Sequence, residues 1–363
     1  MAVYRKLKDL DWGLISLAIV ICALGALQIY SATLDTRWIS AWWKQLLYIG
    51  MGLTLMYLAT RVDYHTLMGQ VPIYYVGGIV LLLVTLFAGT KVFGSRRWIP
   101  LFGGFHFQVS EFFKLVIVLL VARYLAERKG DSLEGRELLK LGALVGIPML
   151  LVMKQPDLGT SLTYVPILAM GVFLGGIQWR HALLATVAAA LILPAGWLVL
   201  KDYQRQRLVT FWDPARDPRG AGYQVIQSKI AVGNGGMWGK GVTRGSQTQL
   251  RFLPVPHTDF IISAFAEEHG FVGIVVVFGL YFLLLMQIVQ NAQTASDRAG
   301  MFICMGVASC LVFHLLVNAG MAAGRMPVTG IPLPLMSAGG SNMLSVFLML
   351  GLVNNVRLRR FVA

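Results

Sequence analysis

Long runs of apolar residues, separated by short polar segments, recur along most of this chain. Ten segments are apolar enough to form membrane helices: residues 12–31, 43–60, 72–89, 109–127, 139–153, 159–177, 181–200, 264–290, 299–322 and 336–355. A helix needs about 20 apolar residues to cross a bilayer, and these runs lack the alternation typical of transmembrane barrel strands. The pattern predicts an all-α polytopic membrane protein with about ten transmembrane helices.

Composition agrees with this pattern. The 363 residues are 56% hydrophobic and only 13% charged, and the mean hydropathy is +0.67. A soluble core of this size has no use for so many apolar runs. We therefore expect a single transmembrane domain over residues 1–363. No phosphate-cradling nucleotide motif is visible, so neither ATP-driven chemistry nor a nucleic-acid partner is expected.

Basic residues near the short loops predict the orientation. They cluster before the first helix (Arg5, Lys6, Lys8), between the fourth and fifth (Arg128, Lys129, Arg136) and at the end of the chain (Arg357, Arg359, Arg360). An even number of spans places these positions on one side, and Lys and Arg favour the cytoplasmic side. Both termini are predicted to be cytoplasmic.

One long segment departs from that charge rule. Residues 201–263 fall outside the cytoplasm, yet residues 201–256 contain nine Lys or Arg against three Asp. Its glycines at 233, 235, 236, 239 and 241 surround Lys240 and precede Arg244. Dense glycines let backbone N–H groups approach a phosphate closely, so we expect a site for an anionic, lipid-linked substrate here. A solvated face, or contact with anionic lipid headgroups, is the alternative.

Two charged residues occur within the fourth predicted helix. Glu111 and Lys114 are three residues apart and share one helix face. They form either an ion pair that locates the helix or a polar wall of a cavity, since ionisable groups at membrane depth often mark function.

Other polar residues lie near the predicted outer ends of helices. Asp157 follows Pro156 and can cap the sixth helix. Trp98 fits an interfacial anchor, with Arg96 and Arg97 beside it.

A carboxylate also precedes the eighth predicted helix. Asp259 follows His257 and Thr258, and it acts either as an N-cap or as a functional group. Glu267 and Glu268 lie further along the helix, where tandem glutamates pair with arginines or line a cavity. A role as second acids is the less favoured alternative.

Four motifs carry a specific resemblance. They read FLPVPHTDFIISAFAEEHGFVG, NAGMAAGRMPVTGIPLPLMSAGGSNML, GSRRWIPLFGGFHFQVSEFFK and QPDLGTS. Together they resemble the SEDS family (shape, elongation, division and sporulation), and GGMWGKGVTRGSQTQLRFLP is more similar to its elongation members than to its division members. Two positions depart from the family pattern: Val255 stands where many relatives have Glu, and Ala338 where Tyr is usual.

The resemblance implies a peptidoglycan glycosyltransferase that polymerises lipid II, a disaccharide-pentapeptide on undecaprenyl pyrophosphate, at the outer face of the bacterial cytoplasmic membrane. It implies that Asp259 is the catalytic general base. The candidates for substrate binding are Arg96, Trp98, Glu111, Lys114, Asp157, Lys240, Arg244, His257, Thr258, Ser337 and Ser341.

The resemblance also implies partners: a class B penicillin-binding protein that cross-links the product, and other membrane proteins of the elongation complex. No cofactor is required by the sequence, and a divalent cation, Mg²⁺ or Mn²⁺, is left open. Two other functions remain alternatives, a lipid II transporter and a non-catalytic scaffold of the cell-wall synthesis complex.

Overall fold

The computed structural model of the protein describes residues 9–92, 95–100, 105–128, 130, 132–199, 202–217 and 220–360. These residues form fifteen α-helices and three short strands. The helices are α1 (Trp12–Thr33), α2 (Ala41–Arg61), α3 (Tyr64–Gly69), α4 (Val71–Ala88), α5 (Val109–Ala126), α6 (Gly135–Lys154), α7 (Leu158–Leu162), α8 (Tyr164–Leu174), α9 (Trp179–Val199), α10 (Asp202–Trp212), α11 (Ala221–Asn234), α12 (Ser246–Gln249), α13 (Ile261–Gln293), α14 (Arg298–Ala322) and α15 (Gly340–Leu358).

The ten predicted helices are confirmed, with bounds that differ by up to four residues and with one segment divided in two. The predicted segment 159–177 is divided at Thr163 into α7 and α8. Pro166 in the first turn of α8 has no N–H, so an uninterrupted helix would lose a hydrogen bond there. The last helix, predicted from residue 336, begins at Gly340, because the preceding segment carries Pro332 and Pro334 and is not helical.

In the described part of the chain, four helices are long and apolar enough to cross a membrane by length and composition alone: α1, α4, α13 and α14. α7 and α8 form a shorter apolar pair over Leu158–Leu174. α5 carries the buried Glu111 and Lys114 among its apolar residues. The chain is thus a helical, multi-pass membrane protein.

The start of α1 and the end of α15 lie at the same end of the bundle. Asp11 accepts a hydrogen bond from the backbone N–H of Leu14 at 3.1 Å, which caps α1. Its carboxylate also pairs with Arg357 at 2.8 Å. An even number of spans requires this arrangement, and the side of the membrane that this end faces stays a prediction.

The bundle has a continuous apolar core. Leu14, Ile117, Tyr281, Ile303 and Phe347 are all buried in it and come from α1, α5, α13, α14 and α15 respectively. α15 packs along α2, and α13 packs along α14. Small residues let helices approach closely in membranes.

Two irregular regions lie at the other end of the bundle. The first is a three-stranded antiparallel sheet between α4 and α5, made of β1 (Thr90–Val92), β2 (Ser95–Pro100) and β3 (His106–Phe107). The hydrophobic pattern did not predict these strands. The second contains α10, α11 and α12, and α11 packs against α13. Both regions contribute residues to the site described next.

Candidate active site

Asp259 lies in the segment between α12 and α13, two residues before α13 begins at Ile261. The N-cap of α13 is Phe260, with no capping hydrogen bond from a side chain, so the Asp259 carboxylate does not serve as the N-cap. Asn318 of α14 donates through Nδ2 to the backbone carbonyl of Asp259 at 3.0 Å and to that of Ile331 at 2.8 Å. One buried amide thus fastens the Asp259 backbone to two other parts of the bundle.

The two residues before Asp259 are held through their backbone as well. The N–H of Ala338 donates to the carbonyl of His257 at 2.9 Å. The hydroxyl of Ser337 donates to the carbonyl of Thr258 at 2.6 Å and accepts from the N–H of Leu333 at 2.9 Å. The proline-containing segment before α15 therefore clamps residues 257–258, and the Asp259 side chain projects from a rigid support.

Ser341 joins a different pair of elements. Its hydroxyl accepts from the N–H of Gln108 at 3.1 Å and donates to the carbonyl of His106 at 2.9 Å, which fixes the start of α5 to α15. The hydroxyls of Ser337 and Ser341 are both occupied by backbone groups. A role for either residue in substrate contact stays a prediction.

The surroundings of Asp259 alter its proton affinity. Burial raises the pKa of the Asp259 carboxyl above its ordinary value, and the positive charges of Arg97 and Arg207 and a hydrogen bond from Thr258 oppose that rise. Burial disfavours the charged form, whereas a nearby cation favours it. The carboxylate is thus a stronger base than a solvated aspartate and still has two cations near it.

His257 is neutral at neutral pH. Burial lowers its pKa to about 4, and its ring centre lies 5.8 Å from that of Trp38. The resemblance assigned His257 to the surroundings of Asp259. The structure places it there as an uncharged aromatic neighbour.

Arg97 comes from β2 and reaches a second carboxylate. Its Nη1 lies 3.3 Å from Oδ1 of Asp157. Successive residues of a strand point to opposite faces, which separates Arg97 from Arg96 and Trp98. In the sequence, the alternation expected within SRRWIP was the signal that Arg96 and Arg97 point to opposite faces of the strand.

Asp157 caps α7 and also connects three elements. Its carboxylate accepts from the N–H of Thr160 at 3.3 Å, which confirms the predicted cap. It also accepts from Nε2 of Gln108 at 2.6 Å and the hydroxyl of Ser110 at 3.4 Å. With Arg97, these bonds join β2, the start of α5 and α7 around one buried carboxylate.

Glu111 and Lys114 form the ion pair that their spacing allowed. Lys114 Nζ donates to Glu111 Oε2 at 2.8 Å, and both side chains are almost fully buried. Nδ2 of Asn342 donates to the same oxygen at 2.8 Å. The pair therefore joins α5 to α15, and a purely structural role accounts for these contacts.

His314 of α14 completes this cluster. Its Nδ1 lies 3.1 Å from the carbonyl of Pro332, which can only accept. Nδ1 is therefore the protonated nitrogen, and Nε2 accepts from Lys114 Nζ at 3.3 Å. The sequence patterns did not single out His314. A histidine within an apolar membrane helix was the available signal.

Trp98 and Arg96 lie on the sheet. The ring of Trp98 is half-buried and meets the ring of His106 edge-on, with 6.3 Å between centres. Arg96 is exposed, and its Nη1 lies 3.5 Å from the carbonyl of Phe87. Both remain candidates for substrate binding, and Trp98 is the more buried of the two.

The glycine-rich segment packs against a break in α13. Gly270 has φ 67° and ψ −166°, so Phe271 and Val272 do not donate to carbonyls one turn earlier. They donate instead to Gly236 and Met237, while the N–H groups of residues 240 and 241 donate to the carbonyls of residues 267 and 268 at 3.0 and 2.9 Å. These four bonds replace the missing helical ones.

This arrangement corrects the expectation that the segment's backbone cradles a phosphate. The N–H groups of Lys240 and Gly241 are already used by α13, and that of Gly239 donates to the carbonyl of Gly235. The glycines are needed for close packing, since a Cβ at Gly239 would lie 2.2 Å from the carbonyl oxygen of Glu268.

Lys240 has an acid beside it. Its Nζ lies 3.7 Å from Oε1 of the fully buried Glu267 and donates to Ser246 Oγ at 2.9 Å. Arg244 is exposed and has no carboxylate partner among the described residues. Of the two predicted phosphate contacts, only Arg244 keeps a charge without an acid beside it.

Glu267 and Glu268 hold the outer segment in place. Glu267 accepts from the backbone N–H groups of Gln247 and Thr248 at 2.8 and 3.1 Å. Glu268 accepts from Gln28 Nε2 at 3.2 Å and from the hydroxyl of Ser31, both on α1. The partners of the two glutamates are therefore a lysine and polar groups instead of arginines.

The described residues contain no group of three or more His, Cys, Asp or Glu that could hold a metal ion. The carboxylate of Asp157 is already in contact with Arg97, Gln108 and Ser110.

The chain belongs to the FtsW/RodA/SpoVE family, described as cell cycle proteins, whose model matches residues 10–360. It is 40% identical over 314 residues to the peptidoglycan glycosyltransferase MrdB of Escherichia coli K12, covering 86% of this chain and 84% of that protein. It is 33% identical to the peptidoglycan glycosyltransferase RodA of Treponema pallidum, covering 98% of this chain and 99% of that one.

The fold matches a solved chain from work on the structural coordination of polymerization and crosslinking by a peptidoglycan synthase complex. The TM-score is 0.84 at 36% identity, with 98% of this chain and 99% of that chain covered. The family predicted from the four sequence motifs is therefore confirmed.

Proposed function

We propose that this protein is a peptidoglycan glycosyltransferase that polymerises lipid II, with Asp259 as its general base. The observation that carries the proposal is the Asp259 carboxylate itself. It is half-buried, its backbone is clamped by α14 and by the segment before α15, and its environment raises its pKa. A base works best when its pKa approaches the working pH.

The reaction forms one glycosidic bond and breaks one bond to phosphate. Asp259 takes the proton of the acceptor hydroxyl as that oxygen attacks the anomeric carbon of the donor sugar. The bond from that carbon to the pyrophosphate oxygen breaks as the new bond forms, and undecaprenyl pyrophosphate leaves with the bonding electrons. Growing negative charge on the leaving group needs fixed positive charge nearby.

Arg97 and Arg207 are the cations placed to supply it. Both are near enough to Asp259 to lower its pKa by their charge, and they come from two different elements, β2 and α10. Arg97 is held in position by Asp157 at 3.3 Å. A guanidinium fixed in this way can contact a phosphate without first becoming ordered.

Transport of lipid II fits the buried groups less well. A transporter requires polar groups through the depth of the bilayer. The buried face of α5 is polar at Glu111 and Lys114, near its outer end, and then continues with Ile117, Val118 and Val121. On the buried face of this helix the charged residues stop within the first two turns, as expected for a site that opens at one surface.

The proposed setting is the bacterial cytoplasmic membrane, with both termini in the cytoplasm and Asp259 at the outer face. We expect the protein to act during cell elongation with a class B penicillin-binding protein as its cross-linking partner. The related complex that couples polymerization to crosslinking supports this partner. The purified chain alone should then make strands that are not cross-linked.

The test is strand synthesis by purified protein from lipid II, followed by electrophoresis of the products. Asp259→Asn should abolish polymer while the melting temperature stays near that of the wild type, because the amide is nearly isosteric but cannot accept the proton. Asp213→Asn is the matched control, since Asp213 is exposed and pairs with Arg216 in the same outer segment. Wild-type polymer from Asp259→Asn would remove the catalytic assignment.

The scaffold alternative is tested in cells. If the protein only organises a complex, Asp259→Ala supports growth of a strain that depends on this gene. We expect no growth, with the variant present in the membrane at the normal level.

A further inference from the structure

A cleft lies between α4, α5 and α6, at the end of the bundle that carries both chain termini. Its volume is about 290 Å³, and apolar side chains of Val71, Val76, Leu120 and Leu144 line it. The cleft is far from Asp259, because α5 carries Glu111 near the catalytic end and Leu120 nine residues further along. At 1.5 Å per residue, that separation is roughly 13 Å along the helix.

The rim of the cleft carries charged residues. Arg123 pairs with Glu127 at 2.8 Å and donates to the carbonyl of Met68 at 2.9 Å. Lys140 lies at the rim on α6, is exposed, and has no carboxylate partner in the described part of the chain. Its Nζ lies 5.7 Å from the centre of the Tyr124 ring. Lys140 therefore leaves one uncompensated positive charge above an apolar cleft.

We propose that this cleft binds an anionic glycerophospholipid, with part of one acyl chain between α4 and α5 and the phosphate at Lys140. The apolar wall disfavours a free phosphate or a nucleotide, which would leave these side chains without a partner. The volume is near the lower limit of small-molecule sites, which run from about 300 to 1,000 Å³, so it holds part of a chain and not a whole lipid.

The position of Lys140 suits a headgroup contact. It lies in the second turn of α6, where the bundle meets the membrane surface, and a lysine there extends its apolar stem along the helix with its ammonium group in the headgroup region. The hydroxyl of Tyr75 donates to the carbonyl of Leu144 at 2.8 Å. This bond joins α4 to α6, and it leaves Lys140 as the phosphate contact. Basic pockets between membrane helices are known to bind anionic headgroups.

The experiment is native mass spectrometry of the purified protein, titrated with phosphatidylglycerol or with phosphatidylcholine of the same acyl chains. The wild type should retain one phosphatidylglycerol in preference to phosphatidylcholine. Lys140→Gln should weaken phosphatidylglycerol binding about fivefold, which corresponds to about 1 kcal/mol for one lysine at a membrane surface. Lys154→Gln is the matched control and should bind as the wild type does, because Lys154 is exposed at the opposite end of the same helix.

A third variant tests the acyl chain. Leu144→Trp fills the cleft and should reduce binding of phosphatidylglycerol although Lys140 is unchanged. Equal retention of both lipids by the wild type, equal losses for Lys140→Gln and Lys154→Gln, or unchanged binding by Leu144→Trp would each overturn the proposal. Melting temperatures of the three variants in the same detergent establish that the comparison is between folded proteins.

Discussion

Arg97 on β2 forms a 3.3 Å ion pair with Asp157 at the start of α7. The same guanidinium lowers the pKa of Asp259, which burial otherwise raises. One side chain therefore links a structural carboxylate that caps a helix to the carboxylate proposed as the base. The electrostatics of the site depend on this link, and it leads to the first prediction.

Arg97→Gln should move the acid limb of the pH–activity profile to higher pH. Without the cation, the pKa of Asp259 rises further, so a larger fraction of the base is protonated at a given acidic pH. We also expect the maximal rate to fall by about a hundredfold, the loss typical when a fixed charge-stabilising group is removed. Initial rates of lipid II polymerisation between pH 5 and pH 9 measure both effects.

Arg96→Gln is the comparison for that experiment, because it makes the same change one residue away on the exposed side of β2. It should leave the acid limb where it is in the wild type. An Arg97→Gln profile with an unshifted acid limb would contradict the electrostatic role of Arg97.

Lys240→Ala and Arg244→Ala should differ in their effect on the melting temperature. Removing Lys240 takes the ion-pair partner from the fully buried Glu267, so we expect a lower melting temperature along with any loss of activity. Arg244 is exposed and has no acid partner among the residues that the structure describes, so Arg244→Ala should keep its stability. If Arg244 contacts the pyrophosphate, kcat/KM for lipid II falls about tenfold or more, since a charge-assisted hydrogen bond contributes about 1.5–3 kcal/mol.

Arg216→Ala is the control for the outer segment, because Arg216 is exposed and pairs with Asp213 at 3.2 Å. Thermal unfolding and kinetics in neutral detergent separate the effect on stability from the effect on kcat/KM for lipid II. Wild-type kinetics for Arg244→Ala would place pyrophosphate recognition at Arg97 and Arg207.

Gly239→Ala should destabilise the protein. Gly239 has φ +79°, and an added Cβ would lie 2.2 Å from the carbonyl oxygen of Glu268, which is backbone and cannot move aside cheaply. The left-handed conformation alone costs about 1–2 kcal/mol for a residue with a side chain. Thermal unfolding followed by tryptophan fluorescence should show a lower melting temperature.

Gly233→Ala is the matched control, since Gly233 lies in α11 and no atom is within 4 Å of a Cβ built there. Alanine in a helix should leave the stability unchanged or raise it by about 0.4–1 kcal/mol. Equal melting temperatures for the two variants would show that residues 236–241 do not stabilise the break in α13.

A histidine at the end that carries the chain termini predicts a pH dependence of stability. Partial burial by itself lowers the pKa of His65, but its contacts with Asp297 at 2.6 Å and Asp63 at 3.0 Å outweigh this, and the pKa is raised. Asp63 also pairs with Arg359, and Tyr64 donates to Asp297. The stabilisation is complete below the ordinary histidine pKa of about 6.5 and is lost as the pH rises through the raised value.

The melting temperature of the wild type should therefore fall more between pH 6 and pH 9 than that of His65→Gln, which keeps hydrogen-bonding capacity but does not titrate in this range. Parallel pH dependences in the two proteins would exclude His65 as the source.

The fold follows from the sequence to a large extent, because the membrane makes hydrophobicity decisive. Each of the ten apolar runs became a helix, and prolines accounted for the late start of α15. The division at Thr163 was missed because hydrophobicity alone does not mark where a helix is interrupted, although Pro166 within the apolar run was a signal for it. The strands β1–β3 were missed because segments of two to six residues carry too little periodicity.

Local chemistry was also predictable where it depends on neighbours in sequence. The spacing of Glu111 and Lys114 predicted their ion pair, and Asp157 after Pro156 predicted the cap of α7. The four motifs identified the family, and with it the expected activity and Asp259 as the expected base. None of these inferences required knowledge of how distant segments meet.

Tertiary structure alone decided which distant groups surround Asp259 and what the glycines do. Arg97 and Arg207 come from segments more than 100 residues apart, and periodicity cannot show that both lie near one carboxylate. The glycine-rich segment looked like a phosphate site because glycine exposes backbone N–H groups, but the break at Gly270 frees carbonyls on α13 that bind those groups first. Sequence patterns report the intrinsic capacity of a residue, whereas its partner is decided by packing in three dimensions.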